Sequence, residues 1–192
     1  VGRSGAVTAV GVNPVLLELI PAENLSVQQT DVRTGKLPAG SYDLVTCRAL
    51  LHQIAEDAPA VLLRMAAAVK AGGWLLIQEP DFHLAPTTEP EVWARTWTGL
   101  IEWGRSNGVD WRIGRKLPRM IADLGLGHPQ AKSDVQNIRG RDRGALYFQL
   151  FFAEVRDRVV DAGQVDAETI NAASALLDDP NYWTQCWMMT AV

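Results

Sequence analysis

The chain has 192 residues, of which 47% are hydrophobic, and a formal net charge of −4. This length indicates one domain with a substantial core, and without a long basic run a nucleic acid is not an expected partner. Two cysteines make no disulfide framework, which favours a reduced, cytoplasmic setting. No apolar run reaches the roughly 18 residues that cross a bilayer, so no membrane partner is expected.

Hydrophobic patterns predict alternating strands and helices in the first half of the chain. Apolar runs predict strands at residues 7–12, 25–30, 42–47 and 74–77, and a short helix at residues 15–20. The spacing of Leu62, Met65 and Val69 predicts a helix that Gly72 and Gly73 terminate. The last two strands and this helix form a crossover unit, so the two strands should be parallel.

The second half of the chain is predicted to be mainly helical. Helical patterns cover residues 92–105, 117–124, 145–162 and 167–177, and strand patterns cover residues 131–138 and 182–192. Asp166 has the position and chemistry of a helix N-cap. The third of these helices places Phe148, Phe151 and Phe152 together, which predicts either core packing or a homodimer face.

Five segments, in this order, resemble class I S-adenosylmethionine-dependent methyltransferases. The family's second strand with its ribose-binding end is matched by TAVGVNP, and its third strand with an acidic residue near adenine is matched by QQTDV. The fourth strand and the helix after it are matched by SYDLVTCRALLHQI. The helix, Gly-Gly pair and fifth strand are matched by VLLRMAAAVKAGGWLLIQEPD, and the late helix before a glycine by GRKLPRMIADLGL. The resemblance covers most of the chain.

The resemblance implies an α/β fold that is Rossmann-like and doubly wound, with a mostly parallel sheet of order 3-2-(1)-4-5-7-6 and a helical lid. It implies one methyltransferase-like domain over residues 1–192, with helical substrate-side segments at residues 81–130 and 144–180. The family's first strand and its Gly-rich turn are not found. The domain is therefore expected to be truncated at its N-terminus, to have a gap at strand 1, and to bind the cofactor weakly or not at all.

In this resemblance S-adenosylmethionine lies at the carboxyl ends of the strands, where ligands of open parallel sheets bind. The implied cofactor-binding residues are Asn13, Pro14, Asp31, Val32, Cys47, Arg48 and Ala49. Asn13 would accept from the ribose hydroxyls, although the family usually has an acid there, and Asp31 would accept from the adenine amino group. The alternatives are a turn residue at Asn13, a loop carboxylate at Asp31 and a surface ion pair at Arg48.

His52 is the candidate catalytic residue, because it follows the fourth strand at the position that faces the substrate in the resemblance. Its imidazole could act as a base, and the alternative is a half-buried helical histidine. The cluster of Glu79, Asp81 and His83 matches no metal-binding spacing, so no metal is expected. Cys47 is interpreted as a small buried residue and not as a nucleophile.

The implied function is transfer of a methyl group to O, N or C of a small, apolar or aromatic acceptor. Four tryptophans, at positions 93, 97, 103 and 111, form either core or an apolar lid over such an acceptor. One alternative is a non-catalytic methyltransferase-like binding or regulatory module, which the absence of a Gly-rich turn in the upstream sequence would support, whereas its presence would support an enzyme. Another is a nucleotide-binding oxidoreductase, which the Gly-Gly strand and the late helices disfavour.

Overall fold

The computed structural model describes residues 1–2, 4–127 and 129–192, which form an α/β domain. The strands are β1 (Val7–Gly11), β2 (Leu25–Gln29), β3 (Tyr42–Arg48), β4 (Val69–Pro80), β5 (Ala131–Arg139) and β6 (Trp183–Ala191). The α-helices are α1 (Val15–Glu18), α2 (Ala58–Ala68), α3 (Glu91–Ser106), α4 (Leu117–Ala122), α5 (Arg143–Asp161) and α6 (Ala167–Leu176). Short 3₁₀ turns lie at Leu51–Ile54, Ala85–Thr87 and Ile113–Lys116.

The strands form two sheets. β1 pairs with β2 in parallel, and the second sheet has the order β3-β4-β6-β5. The crossover prediction is confirmed, since β3 and β4 are parallel, whereas β6 runs antiparallel to both β4 and β5. The second sheet is mostly parallel, as the resemblance implied, because β3, β4 and β5 run in the same direction and β6 runs against them. The order predicted across a single sheet is not confirmed, since no strand pairing joins the two sheets in the described residues.

The start of β4 corrects one prediction. Helix α2 ends at Ala68, and Val69 is already extended, so the chain leaves the helix before the Gly72-Gly73 pair. Tyr42 pairs with Val69 but Leu44 pairs with Trp74, so residues 70–73 bulge opposite Asp43. Gly72, with φ of +78°, supplies the left-handed backbone that this bulge requires.

Buried apolar side chains form two clusters. An aliphatic cluster joins α2, α4 and β4, and it includes Leu62, Ile77 and Ile121. An aromatic cluster joins α3, α5, α6 and β6, and its most deeply buried rings are Trp93, Trp97, Phe148 and Phe152. The core interpretation of the tryptophans is thus confirmed for Trp93, Trp97 and Trp111, and Trp103 packs against the same cluster.

The boundaries of the late helices follow local signals. The side chain of Asp166 accepts a hydrogen bond from the Thr169 amide, so this residue is the N-cap of α6 as predicted. Among the described residues, no helix combines the length and apolar character needed to cross a bilayer.

Candidate active site

The chain turns sharply where β3 ends. Ala49 has φ of +50°, an uncommon conformation for a residue other than glycine. Its amide donates to the carbonyl oxygen of Gln78 on β4 at 2.9 Å. The 3₁₀ turn Leu51–Ile54 follows at once, so His52 lies on this turn and not on the helix that the sequence predicted. The turn places three successive backbone N–H groups, those of residues 50–52, beside the end of β4.

Glu79, near the end of β4, receives these N–H groups. Its side chain is fully buried. Oε1 accepts from the amides of Leu50 at 2.9 Å and Leu51 at 2.8 Å, and Oε2 accepts from the amide of His52 at 3.2 Å. A buried carboxylate requires such compensation for the water it has lost. Glu79 therefore fixes the position of the turn relative to the sheet.

The imidazole of His52 is held on two sides. Nδ1 lies 2.9 Å from Glu79 Oε2, and the ring packs against Trp111 with 4.9 Å between ring centroids. Only 6% of the side chain is exposed. The backbone adds two further connections, because the Asp110 amide donates to the His52 carbonyl at 2.8 Å and the Phe82 amide donates to the Trp111 carbonyl at 2.9 Å. These contacts fix the ring at the junction between β4 and the aromatic cluster.

A second ionic group follows Glu79 directly. The carboxylate of Asp81 is 7% exposed and pairs with Arg115 Nε at 3.3 Å and with His83 Nδ1 at 3.1 Å. Arg115 lies in the 3₁₀ turn Ile113–Lys116, which packs against the end of β4. The arrangement brings a half-exposed guanidinium and an imidazole to the same edge as His52. Among the described residues, no group of three or more His, Cys, Asp or Glu side chains is placed to hold a metal ion.

A cleft of about 270 Å³ begins next to the His52 turn, at Ala55. Its apolar lining includes Ala55, Val109 and Trp111, and its charged lining includes Glu56, Arg112 and Lys116. The cleft reaches one edge of the same Trp111 ring that packs on His52. It therefore connects the aromatic wall of the site with solvent.

The predicted cofactor residues of the first sheet lie just beyond the ends of β1 and β2. Because Gly11 pairs with Gln29, the two carboxyl ends are adjacent. Asn13 is exposed, and its Oδ1 accepts from the Val15 amide at 3.3 Å. Asp31 accepts from the amide and the guanidinium of Arg33, and these hydrogen bonds lower the pKa of the Asp31 carboxyl. Pro14 and Val32, which are half-buried, complete this set.

The predicted residues of the second sheet have different environments. Cys47 is half-buried, and burial, together with the charge of Glu79, raises the pKa of its thiol to about 12. The raised pKa agrees with the interpretation that Cys47 is not a nucleophile. Arg48 is exposed and near Cys186, where burial raises the pKa of the thiol to about 11 and the positive charge of Arg48 opposes that rise.

The structure thus brings Arg48, Ala49 and His52 together at the ends of β3 and β4. In the first sheet, Asn13 and Asp31 follow the adjacent ends of β1 and β2. That the two groups share one hollow stays a prediction. From the sequence, Glu79 was placed at a strand end beside the crevice without a role in it, and Arg115 was missed as a member of the site. The available signal was the EPD motif at the end of β4, whose two carboxylates are separated by a single residue in the sequence.

The domain is of the Rossmann-like α/β class, with polar side chains gathered where parallel strands end. The model of the family described as "Methyltransferase domain" matches residues 2–126. The chain belongs to this methyltransferase family, whose cofactor is S-adenosylmethionine.

One curated relative and two solved structures are similar to this chain. Methyltransferase str3 of Strobilurus tenacellus is 31% identical over 118 residues, which are 60% of this chain and 42% of that protein. The chain thus spans less than half the length of this relative. A candidate methyltransferase from Bacillus halodurans has a TM-score of 0.56 at 15% identity, over 97% of this chain and 82% of that one.

The second solved structure is phosphoethanolamine N-methyltransferase 2 of Haemonchus contortus, in complex with phosphomonomethylethanolamine and S-adenosylhomocysteine. It has a TM-score of 0.55 at 14% identity, over 97% of this chain and 43% of that one. At these identities the two structural likenesses define the fold and not the reaction.

Proposed function

We propose that the protein carrying this chain transfers the methyl group of S-adenosylmethionine to O, N or C of a small, apolar or aromatic acceptor. The observation that carries the proposal is the family match over residues 2–126. That segment includes the ends of β1 to β4 and with them every predicted cofactor residue. The same match favours methyl transfer over the oxidoreductase alternative.

The residues at the first sheet fit the adenosyl part of the cofactor. The exposed Asn13 amide oxygen accepts one hydrogen bond, and an amide oxygen has a second lone pair for a ribose hydroxyl. Three N–H groups of Arg33 donate to Asp31, and the Nε–H is shared between both carboxylate oxygens. When the Nε–H donates to a single oxygen, one of the roughly four acceptor sites of the carboxylate is left for the adenine amino group. Val32 lies beside it and would contribute its half-buried side chain to the adenine surface.

The residues at the second sheet would supply alignment and proton transfer. Bound S-adenosylmethionine supplies an activated methyl group on a sulfonium, so the protein is left mainly with orientation. The sharp turn at Ala49 would let the backbone approach the sulfonium end, with Arg48 and Cys47 beside it. His52 would take the proton of an acceptor that must be deprotonated.

An apolar or aromatic acceptor is supported by the aromatic character of the cluster that contacts His52. Trp111 packs on the imidazole, and Phe82, Trp97 and Phe151 extend the same aromatic cluster. We extend the proposal to the segments 81–130 and 144–180, which supply these rings, as the substrate side of the domain. Trp93 and Trp97 are fully buried, so neither of them acts as a separate lid over the acceptor.

Calorimetric titration of the full-length protein with S-adenosylhomocysteine tests cofactor binding. We expect saturable heat, and about tenfold weaker binding for Asp31→Ala, which removes one charge-assisted acceptor. The matched control is Asp43→Ala, because Asp43 is at the opposite end of β3 and pairs only with the surface Lys70 among the described residues. An absence of heat for the wild type, or equal weakening by both substitutions, would contradict the proposal.

A second measurement separates the enzyme from the binding module. Transfer of labelled methyl from S-adenosylmethionine is followed with a panel of phenols and aromatic amines. Transfer to at least one acceptor supports the enzyme. Cofactor binding without transfer to any acceptor in the panel supports the non-catalytic module.

A further inference from the structure

Glu79 does more in this site than hold a turn. Its two oxygens accept four hydrogen bonds, three from the backbone amides of residues 50–52 and one that joins Oε2 to His52 Nδ1. The three backbone bonds explain the conformation of the turn. They do not explain why the imidazole is also bonded to the same carboxylate. This fourth contact, 2.9 Å long and buried, fixes the chemistry of the ring.

The direction of this bond follows from the carboxylate. An ionised carboxylate only accepts hydrogen bonds, so the proton in the contact must be on His52 Nδ1. A neutral imidazole carries one proton, and its other nitrogen is then a lone-pair acceptor. In the described part of the chain, no group forms a hydrogen bond with Nε2.

We infer that Glu79 is a positioning residue that holds His52 as the Nδ1–H tautomer, so that Nε2 is the base of the methyl-transfer reaction. The inference rests on the proposed function and deepens it by assigning the basic atom. In the reaction itself, Glu79 acts only through His52. Trp111, packed on the ring face, prevents the imidazole from rotating away from this orientation.

The step balances in atoms and charge. The Nε2 lone pair takes the proton from the O–H or N–H of the acceptor as the acceptor atom forms its bond to the methyl carbon. The bond between that carbon and the sulfonium sulfur breaks, and its electron pair stays on sulfur, which becomes a neutral thioether. His52 becomes an imidazolium, whose positive charge the Glu79 carboxylate offsets at Nδ1.

Substitution of Glu79 by glutamine should reverse the tautomer. The glutamine oxygen can still accept from the Leu50 and Leu51 amides, while an NH₂ group in the place of Oε2 loses the His52 amide and can donate to Nδ1. The proton of the ring would then move to Nε2, and the base would be lost. Glu79→Asp keeps the carboxylate and should retain the Nδ1–H form in part. A purely structural role for Glu79 predicts no difference in tautomer between the glutamine and aspartate variants.

Nitrogen NMR of the protein labelled with ¹⁵N-histidine tests this inference without cofactor or acceptor, so its result is independent of whether the protein transfers methyl groups. The chain has three histidines, and the His52 signals are assigned by their loss in His52→Gln. His83, whose Nδ1 contacts Asp81, serves as the internal control.

In the wild type at neutral pH we expect His52 with a protonated Nδ1 and a lone pair on Nε2, and in Glu79→Gln the opposite, with unchanged His83 signals. A wild-type His52 protonated on Nε2, or an unchanged tautomer in a folded Glu79→Gln variant, would overturn the inference. If Glu79→Gln does not fold, the wild-type spectrum decides alone. In the active protein, Glu79→Gln should lower kcat by about 100-fold with little change in KM, since a general base contributes that much or more.

Discussion

Gly114 lies against Pro80, and a Cβ at position 114 would come within 2.8 Å of the Pro80 carbonyl oxygen and 2.9 Å of the Asp81 Cβ. The close approach lets the 3₁₀ turn Ile113–Lys116 rest on the end of β4, so that Arg115 reaches Asp81. The packing against the end of β4 therefore leaves no room for a residue larger than glycine at position 114.

Replacement of Gly114 by alanine should destabilise the fold by about 1–3 kcal/mol, because both close atoms are fixed in the core and overpacking cannot be relieved cheaply. Urea denaturation measures the change. The matched control is Gly127→Ala, since a Cβ there meets no heavy atom within 4 Å, and it should change stability by less than about 0.5 kcal/mol. Equal midpoints for the two variants would contradict the packing described.

Removal of the Glu79 carboxylate should cost more than removal of a surface carboxylate. Glu79→Ala leaves three backbone amides and an imidazole without their buried acceptor, and we expect a loss of about 2–5 kcal/mol in the free energy of unfolding. Glu102→Ala, at an exposed pair with Arg105, is the control and should cost less than about 1 kcal/mol. A small effect at Glu79 would show that water replaces its hydrogen bonds.

The N-cap of α6 should make stability depend on pH in the acidic range. The Thr169 amide and hydroxyl donate to Asp166 at 2.7 and 2.8 Å, and these bonds lower the pKa of the Asp166 carboxyl. A carboxyl whose pKa is lower in the folded state stabilises the fold above its unfolded pKa of about 3.9, and loses that contribution as pH falls through the folded value.

Thermal melts of Asp166→Ala and Asp166→Asn over the range from neutral to about pH 2 test this. The alanine variant should melt below the wild type at neutral pH, with a difference that shrinks in acid. The asparagine variant keeps a capping oxygen that does not titrate, so its melting temperature should exceed that of the alanine variant at every pH. A constant difference between wild type and Asp166→Ala across the range would exclude the ionised cap.

The two cysteines should resist alkylation in the folded protein. Burial raises the pKa of Cys47 to about 12 and that of Cys186 to about 11, so at about pH 8 the thiolate fractions are on the order of 10⁻⁴ and 10⁻³. Mass spectrometry after treatment with iodoacetamide should find Cys186 modified slowly and Cys47 more slowly still. Both should react rapidly in denaturant. Rapid labelling of native Cys47 would contradict its buried environment.

Local signals in the sequence were enough for much of the fold. The phenylalanine spacing of α5 and the capping chemistry of Asp166 predict their helices because both depend on residues within a turn or two. The start of β4 could not be predicted in the same way. There the pairing of Tyr42 with Val69 overrides the helix-ending preference of Gly72, and that pairing is a tertiary contact.

In the candidate site, too, features set by nearby residues could be predicted and features set by distant contacts could not. His52 was found because the resemblance assigned a role to its position after a strand. The role of Glu79 was not found, since its hydrogen-bond partners lie 27 to 29 positions away in the sequence. Three of these partners are backbone amides, which no residue type in the sequence identifies. Arg115 was missed for the same reason, because its partner Asp81 is 34 positions away.

The central claim is that Asn13, Asp31 and Arg48 surround one hollow at the ends of the parallel strands, with His52 at its inner end. A crystal structure of the full-length protein with S-adenosylhomocysteine tests it most directly. The account predicts the adenosine between Asn13 and Asp31 and the sulfur on the side of Arg48 and His52. S-adenosylhomocysteine bound elsewhere, or these three side chains on different faces of the protein, would contradict it.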